Sequence, residues 1–559
     1  MIADVINFVQ SQTLEHPVRT VLLTPVLFLL AYVISQEFVR LRARIPGFSG
    51  PTGLPIVGNI HQIRVNAAEQ YRVWSKQFGP VYQIQLGNVP VIVVNSAVAA
   101  RDLFGKNSQA LSSRPVFHTF HKVVSNTAGT TIGTSPFNES LKRRRKGAAS
   151  ALNKPSIATY IDHLDRETRD FVKEGLEYGS GGLAGVDPMP MIQRLSLSLS
   201  LTLNWGTRLG SRDDPMFAEI TEVEEDISRF RSTTGNLQDY IPLLRLNPFD
   251  RWAKKRSKEV RDRRDVYLNR LNDDLDKRMA DGSHKPCIQA NVILDKEASL
   301  NKEELTSISL TMLSGGLDTI TTLVQWSVGL LAQRPDIQRK AIEEIRKVYP
   351  ADADPLCDPQ DEGKVEYVAA LVRECLRYFC VLRLALPRAT VKDVYYEGKL
   401  IPAGTTIFLN AWACNMDPDV WTDPTTFRPE RWLEQPDAPL FTYGLGYRMC
   451  AGSLLANREL YLIFLRTLNS FEILPQPSSA TSATSSEKNT TTTNNVVLDP
   501  HGHPVPWAKD VDIHPVSGSA DPTSLVTMSR HFKVVFKPRD AERLAEAIER
   551  NVRVKGSGD

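Results

Sequence analysis

Hydrophobic positions change their spacing several times along the chain. From Val21 to Ile34 they run almost unbroken (VLLTPVLFLLAYVI). Two short runs follow, Val81–Leu86 (VYQIQL) and Val89–Val94 (VPVIVV), separated by Gly87-Asn88. That junction between β-type runs predicts a hairpin. From about Ala97 to Arg377 a helical period dominates, and β-type segments return at Thr405–Leu409 and Phe532–Phe536. The pattern predicts a mainly α body with a minor β region drawn from both ends of the chain. No internal repeat is evident.

The first apolar run is short for a bilayer span, which takes about 20 residues. Extending it from Pro17 to Phe38 reaches that length and admits Arg19 and Glu37. A membrane anchor, a cleaved signal peptide and a buried helix all fit. The anchor is preferred, because no small-residue cleavage site follows and Pro25 is tolerable in a membrane helix. Arg40, Arg42 and Arg44 follow the run while Arg19 alone precedes it, which predicts that the bulk of the chain is cytosolic. The prolines and glycines of Ile45–Asn59 (IPGFSGPTGLPIVGN) forbid a continuing helix and read as a stiff hinge. The expected organisation is an anchor and flank over residues 1–45 and one domain over 46–559. Gln476–Asn495 is rich in Ser, Thr and Asn, which predicts a disordered surface insertion over about 476–524.

Composition narrows the class. The 559 residues are 42% hydrophobic and 23% charged, ample for a large globular core. A net charge of +3 gives no support to nucleic-acid binding. Cys287, Cys357, Cys375, Cys380, Cys414 and Cys450 form no CxxC pair, so neither a structural zinc site nor a disulfide framework is expected.

The densest chemistry lies in Tyr443–Gly452, YGLGYRMCAG. A cysteine ligating iron needs close backbone approach to a porphyrin, hydrogen bonds to its sulfur and a shielded setting. The helical run after Gly452 places Cys450 near a helix N-terminus, where the dipole favours a thiolate. Alone, the segment also fits a buried free cysteine beside a glycine-rich turn. Glu374 and Arg377 sit three residues apart on a predicted helix, where they can pair. That spacing is common, but Arg431 (in FRPERW) and Cys450 follow Arg377 by 54 and 73 residues. Upstream, Gly315-Gly316-Leu317-Asp318-Thr319 interrupts an apolar helical run. Glycine inside a helix costs about 1 kcal/mol against alanine, and an acid is costly to bury. Packing alone does not account for both.

Together these segments resemble the cytochrome P-450 family, whose haem-binding signature runs phenylalanine-x-x-glycine-x-arginine-x-cysteine-x-glycine. Gly446, Arg448, Cys450 and Gly452 match, and Tyr443 stands at the phenylalanine position. The resemblance covers about residues 46–475 and resumes at 525–539. It implies the family fold, haem b (iron protoporphyrin IX) with Cys450 as thiolate ligand, and a Glu374–Arg377–Arg431 network around the haem loop. It gives Asp318 and Thr319 a role in proton delivery to bound oxygen. The glycines beside them make room for dioxygen. Within the basic run Lys142–Lys146 it points to Arg145 as a propionate contact, although Leu141 stands where the family has tryptophan; Arg388 is a further propionate candidate. Read without the resemblance, that run is simply a solvated face.

No flavin segment or GxGxxG fingerprint is present, so the resemblance implies electrons from NADPH through a separate flavoprotein reductase at the endoplasmic reticulum membrane. YRMCAGSLLANRELYLIF and the Gly315 helix are similar to fungal phenylacetate hydroxylases of this superfamily. The implied substrate is a small aromatic acid hydroxylated on its ring. Arg383 is a candidate anchor for its carboxylate, and equally a surface or propionate arginine. Arg114–His121, Leu313–Thr319, Leu382–Leu386 and Leu525–Met528 are candidate pocket segments. A tailoring oxygenase on a phenolic or polyketide-derived secondary metabolite is the alternative. A reductase-independent haem-thiolate isomerase or a non-catalytic haem protein would leave the Asp318–Thr319 pair without a purpose.

Overall fold

Whether the apolar run joins the globular body is decided by two polar residues on the first strand. In a computed structural model, described over residues 17–125, 131–232, 234–246, 251–295, 300–475, 497–500 and 502–555, the run lies in helix α1, Pro17–Arg42. Its segment Leu23–Arg42 is long and apolar enough to cross a membrane, and its large side chains are mostly exposed. The chain then passes α2 (Ala67–Phe78), β1 (Val81–Leu86) and β2 (Val89–Val94). Strand β1 turns Tyr82, Ile84 and Leu86 to one face and Gln83 and Gln85 to the other, and all are buried. Those two glutamines bind the chain that leaves α1. Gln85 Nε2 donates to the Arg40 carbonyl at 2.6 Å, while Arg40 Nη1 donates to Gln85 Oε1 at 2.7 Å. Gln83 Nε2 donates to the Ile45 carbonyl, and the Ile45 N–H donates to Gln83 Oε1. Arg40 is therefore a buried fastening residue and not the free flanking charge its sequence position suggests; Arg42 stays exposed.

The body is helical, as its periodicity predicts. It comprises α3 (Glu139–Ala151), α4 (Ile161–Tyr178), α5 (Met189–Trp205), α6 (Pro215–Phe230), α7 (Arg251–Ala280), α8 (Lys302–Gln333), α9 (Pro335–Val348), α10 (Glu366–Phe379), α11 (Ser453–Ser470) and α12 (Ala541–Lys555). The 32-residue α8 begins in a capping box, with Asn301 Oδ1 accepting from the Glu304 N–H and Glu304 Oε2 accepting from the Asn301 N–H. It lies along α5 through the middle of the molecule.

The predicted hairpin forms as β1–β2 with Gly87 at φ +58° in its turn. Further strands are β3 (Arg388–Ala389), β4 (Val394–Tyr396), β5 (Lys399–Ile401), β6 (Thr406–Leu409), β7 (Phe471–Leu474) and β8 (Val535–Pro538). One sheet has the order β1-β2-β6-β3, with β6 parallel to β2, so early strands pair with strands about 300 residues later; β4–β5 and β7–β8 are separate antiparallel pairs.

The expectation of a disordered insertion up to about residue 524 needs correction. Residues 476–496 lie outside the described residues, but from 497 onward the chain is packed. Val505, Ala508, Val511 and Ile513 are buried, and Trp507 pairs with Lys533. The Ser/Thr-rich composition stops at Asn495, and the apolar positions beyond it join the core.

Ile513 shows what this segment does. A methyl group added at Gly329 of α8 would lie 2.7 Å from Ile513 Cδ1 and 2.8 Å from the Phe532 ring. Gly329→Ala should therefore destabilise the protein by about 1–3 kcal/mol in thermal or urea unfolding, despite its better helix propensity. Adding Ile513→Val should recover part of that loss; additive losses in the double variant would show that the crowding lies elsewhere.

Candidate active site

Six cysteines are described, all free. Five are buried, and Cys450 alone is exposed, in the wall of a cavity of about 340 Å³. Its loop is shaped by backbone constraints. Gly444 and Gly446 sit at φ +71° and +62°, where glycine is favoured. A side chain at Gly446 would also meet the Phe104 carbonyl and come within 2.6 Å of Ser108 Cβ. The Cys450 N–H donates to the Tyr443 carbonyl at 2.9 Å, and α11 starts three residues later with Gly452 as its N-cap. Surrounding protein pushes the Cys450 thiol up, while the Gly452 N–H and the charge of Arg145 favour the thiolate.

Glu374, Arg377 and Arg431 come together in the fully buried network that the sequence spacing suggests. Arg377 donates Nε and Nη2 to the two Glu374 oxygens at 2.8 Å each, and Arg431 Nε donates to Oε1 at 3.2 Å. Trp432 Nε1 and the Arg428 N–H complete the set at 3.0 and 2.8 Å. From there hydrogen bonds lead to the cysteine loop. Arg377 Nη1 donates to the Asn415 carbonyl, and Asn415 binds the Phe441 N–H through Oδ1 and Thr442 Oγ1 through Nδ2.

A porphyrin needs a soft axial donor, open space beside it and cations for two carboxylates. Cys450, the one exposed thiol among the described residues, can serve as that donor. Positions that a Cβ would occupy at Gly315 and Gly452 meet nothing within 4 Å, so both leave the cavity open. Arg145, Arg388 and Arg448 line that cavity together with Arg114, and none of the four has a carboxylate partner among the described residues. Burial holds all four guanidiniums down, and neighbouring arginine charges lower Arg114, Arg388 and Arg448 further, the last two to about 9. Arg448 is fixed by carbonyls of Ser112, Ile132, Gly133 and Ser135, and Arg388 by that of Leu445. Such a cluster of repelling cations awaits an anion. The donor set fits haem.

The remaining basic-run residues divide in an unforeseen way. Arg144 is turned inward to the Ser135 and Ser307 hydroxyls, whereas Arg143 pairs with Glu304 and Lys142 with Glu139. Leu141, in place of the family tryptophan, is buried. Arg114, placed by sequence only within a pocket segment, belongs to the cation cluster; an isolated arginine in a loop carries no motif that would reveal it.

On α8, Asp318 and Thr319 both line the cavity, and Thr319 Oγ1 donates to the Gly315 carbonyl at 2.7 Å. Burial, and next the charge of Glu224, push Asp318 up to about 8. The two glycines part company. Both line the cavity, but a Cβ at Gly315 would meet nothing, whereas one at Gly316 would strike Ser200 Oγ of α5, so the second glycine also serves helix packing. Arg383 is also corrected as a substrate anchor. It lies outside this cavity, donates to the Pro515 carbonyl and stacks over Trp412. Leu525 and Val526, from the expected pocket segment, do line the wall.

A helical body with a thiolate donor, a cradle of arginines and an acid–hydroxyl pair facing the same cavity defines a haem-thiolate oxygenase. Residues 48–500 match the family model described as Cytochrome P450, and the chain belongs to the cytochrome P450 monooxygenase family. It is 64% identical to 3-hydroxyphenylacetate 6-hydroxylase of Emericella nidulans over 549 residues, 98% of this chain and 99% of the relative. It is 41% identical to phenylacetate 2-hydroxylase of the same organism over 537 residues, 94% and 96% of the two chains. A cytochrome P450 monooxygenase of Mycosarcoma maydis is 39% identical over 470 residues, 80% of this chain and 86% of the relative.

Gly315 and Gly446 should respond oppositely to alanine. Gly315→Ala should leave unfolding stability unchanged or raise it by about 1 kcal/mol, through helix propensity, while slowing turnover by crowding the cavity. Gly446→Ala should cost about 2 kcal/mol or more and diminish the thiolate signal in a carbon monoxide difference spectrum. Equal stability losses at both sites would contradict the different surroundings described for them.

Proposed function

We propose that this P450 hydroxylates the aromatic ring of phenylacetate or a hydroxyphenylacetate, with 3-hydroxyphenylacetate the foremost candidate. The observation that carries this reading is the 64% identity, nearly end to end, with 3-hydroxyphenylacetate 6-hydroxylase. An apolar cavity wall containing a few convergent polar groups suits a small aromatic acid.

Cys450 would hold the haem iron, and Arg114, Arg145, Arg388 and Arg448 would hold its propionates. When bound, haem supplies dioxygen binding and reductive oxygen activation, which a thiolate ligand favours. The chain's own residues manage protons and solvent. Asp318, with a pKa near 8, keeps a proton on its carboxyl group at neutral pH. Thr319 is the neighbouring hydroxyl on the same cavity wall and can pass a proton onward by turning from the Gly315 carbonyl. Leu323, Leu386 and Val526 keep the cavity largely apolar, so that protons enter through this pair.

Electrons would arrive from NADPH through a separate flavoprotein reductase. Helix α1 would anchor the chain in the endoplasmic reticulum membrane with the catalytic body in the cytosol. These assignments rest on the family and on the apolar helix.

With reductase and NADPH, the full-length enzyme should convert 3-hydroxyphenylacetate or phenylacetate to a ring-hydroxylated product; no product from either acid rejects this substrate class. The pH profile tests the relay. Asp318 loses its proton as pH rises through about 8, so product formed per NADPH consumed should fall on that limb. Asp318→Asn cannot ionise and should show lower coupling without that limb. A limb retained in Asp318→Asn would assign the titration to another group.

A further inference from the structure

One cation in the cavity wall has no part in the chemistry described so far. Arg231 follows the last residue of α6 as its C-cap, and its guanidinium reaches the cavity beside Ser314 and Asp318 of α8. Nη2 lies 3.4 Å from Ser314 Oγ, a marginal bond, and the guanidinium sits 5.0 Å over the Phe120 ring. Nε is buried with no hydrogen-bond partner. Among the described residues no carboxylate forms an ion pair with it. The charge of Glu224 favours the guanidinium from nearby, but its oxygens bond to other groups. Glu224 accepts from Ser314 Oγ at 2.5 Å and from the Tyr267 hydroxyl at 2.8 Å. Asp318 is protonated at neutral pH. A half-buried guanidinium whose Nε is sealed off without a partner is costly unless something pairs with it.

We propose that Arg231 is the receptor for the substrate carboxylate and so the residue that determines specificity for arylacetates. The inference rests on the aromatic-acid reading above and names the group that would recognise the acid. Guanidinium is planar, permanently charged at neutral pH and matched to a carboxylate by two parallel N–H donors. The other cations are accounted for: Arg114, Arg145, Arg388 and Arg448 form the cluster around the Cys450 loop, and Arg383 lies outside the cavity. Arg231 and Cys450 line the same cavity, so a molecule held at Arg231 lies within the space that leads to the iron ligand. Phe120 beneath the guanidinium, with Phe117 and Leu386, offers an adjoining apolar slot.

Geometry then bears on which carbon is oxidised. An acetate arm is only two carbons long. Fixing its carboxylate holds the ring edge next to the arm in a set position, whereas the far edge swings more widely. The two arylacetate relatives are named for oxidation at ring positions 6 and 2. Both positions adjoin the carbon that bears the arm, as one carboxylate anchor would produce.

The test compares an acid with its neutral isostere. The full-length haem-loaded enzyme is titrated with 3-hydroxyphenylacetate and with 3-hydroxyphenylacetamide, following the haem absorbance shift on binding. Arg231→Gln should weaken the acid by about 30-fold or more and change the amide by less than about threefold. In turnover, its products should lose preference for the carbons beside the arm. Equal weakening of both ligands would mark a merely structural role, and an unchanged preference for the acid would overturn the assignment outright. If Arg231→Gln gives no thiolate carbon monoxide spectrum, Arg231→Lys decides. Lysine keeps the charge but not the paired donors, so preference for acid over amide should shrink by at least about threefold, and an unchanged ratio refutes the proposal. A wild-type enzyme that neither binds nor oxidises an arylacetate rejects the aromatic-acid reading and this inference with it. A wild-type enzyme that oxidises them while Arg231→Gln still prefers the acid rejects Arg231 alone.

Discussion

Glu374 is the residue on which the site depends. Its carboxylate is completely buried, a situation that costs several kcal/mol without compensation. Two guanidiniums, an indole N–H and a backbone N–H compensate it from two stretches of chain, its own helix with Arg377 and the segment carrying Arg428, Arg431 and Trp432. The arginines in turn occupy carbonyls at Asn415, Thr422, Pro424 and Thr426. No one of these segments can shift without orphaning a buried charge. Asn415 carries the constraint on to Phe441 and Thr442, the entrance to the cysteine loop. The network therefore contributes position more than stability, and the thing positioned is a sulfur.

Charge around the cavity is organised by the same logic of incomplete pairing. Glu374 is oversupplied with donors inside the protein, whereas Arg114, Arg145, Arg388 and Arg448 are left with carbonyls alone. Carbonyl oxygens orient a guanidinium but do not neutralise it. The apoprotein consequently stores repulsion beside Cys450 that a dianionic cofactor relieves, and cofactor binding should couple strongly to the order of this region. Beside α8 the imbalance is smaller: one half-buried arginine, one engaged glutamate and one protonated aspartate.

What was legible beforehand follows from how locally each feature is encoded. The hairpin needs two alternating runs and a turn, all within residues 81–94, and it forms in that register. Cys450, Glu374, Arg377 and Arg431 are far apart in the chain but carry residue types and spacings specific enough to be associated. Arg114 and Arg231 have neither advantage. Arg114 lies in a loop and Arg231 at the end of α6, and only tertiary packing points each of them at a cavity. Arg383 failed for the converse reason. Its place just past the Glu374 helix suggested the pocket, but the Pro515 carbonyl arrives from a segment more than a hundred residues away and takes its donor. Gly316 shows the limit within one motif: two adjacent glycines look equivalent in sequence, yet lie about 100° apart around a helix, so a side chain at one would enter open space and a side chain at the other would strike Ser200 of α5.

That returning segment explains how the chain can carry its low-complexity stretch so near the core. Strand β7 ends at Leu474 and β8 begins at Val535, and these two residues are partners in the same antiparallel ladder. The excursion between them thus starts and finishes at one point on the molecule. The entropy of closing a loop grows only with the logarithm of its length, so added residues cost little once the ends are paired. The return path is not free to vary in the same way. Trp326 of α8 donates its indole N–H to the Thr527 carbonyl, and the Thr527 N–H donates to the Val381 carbonyl, which fixes Leu525 and Val526 in the cavity wall. Length can be gained where composition is polar and both ends are paired, and cannot be gained where the chain lines the space a substrate must occupy.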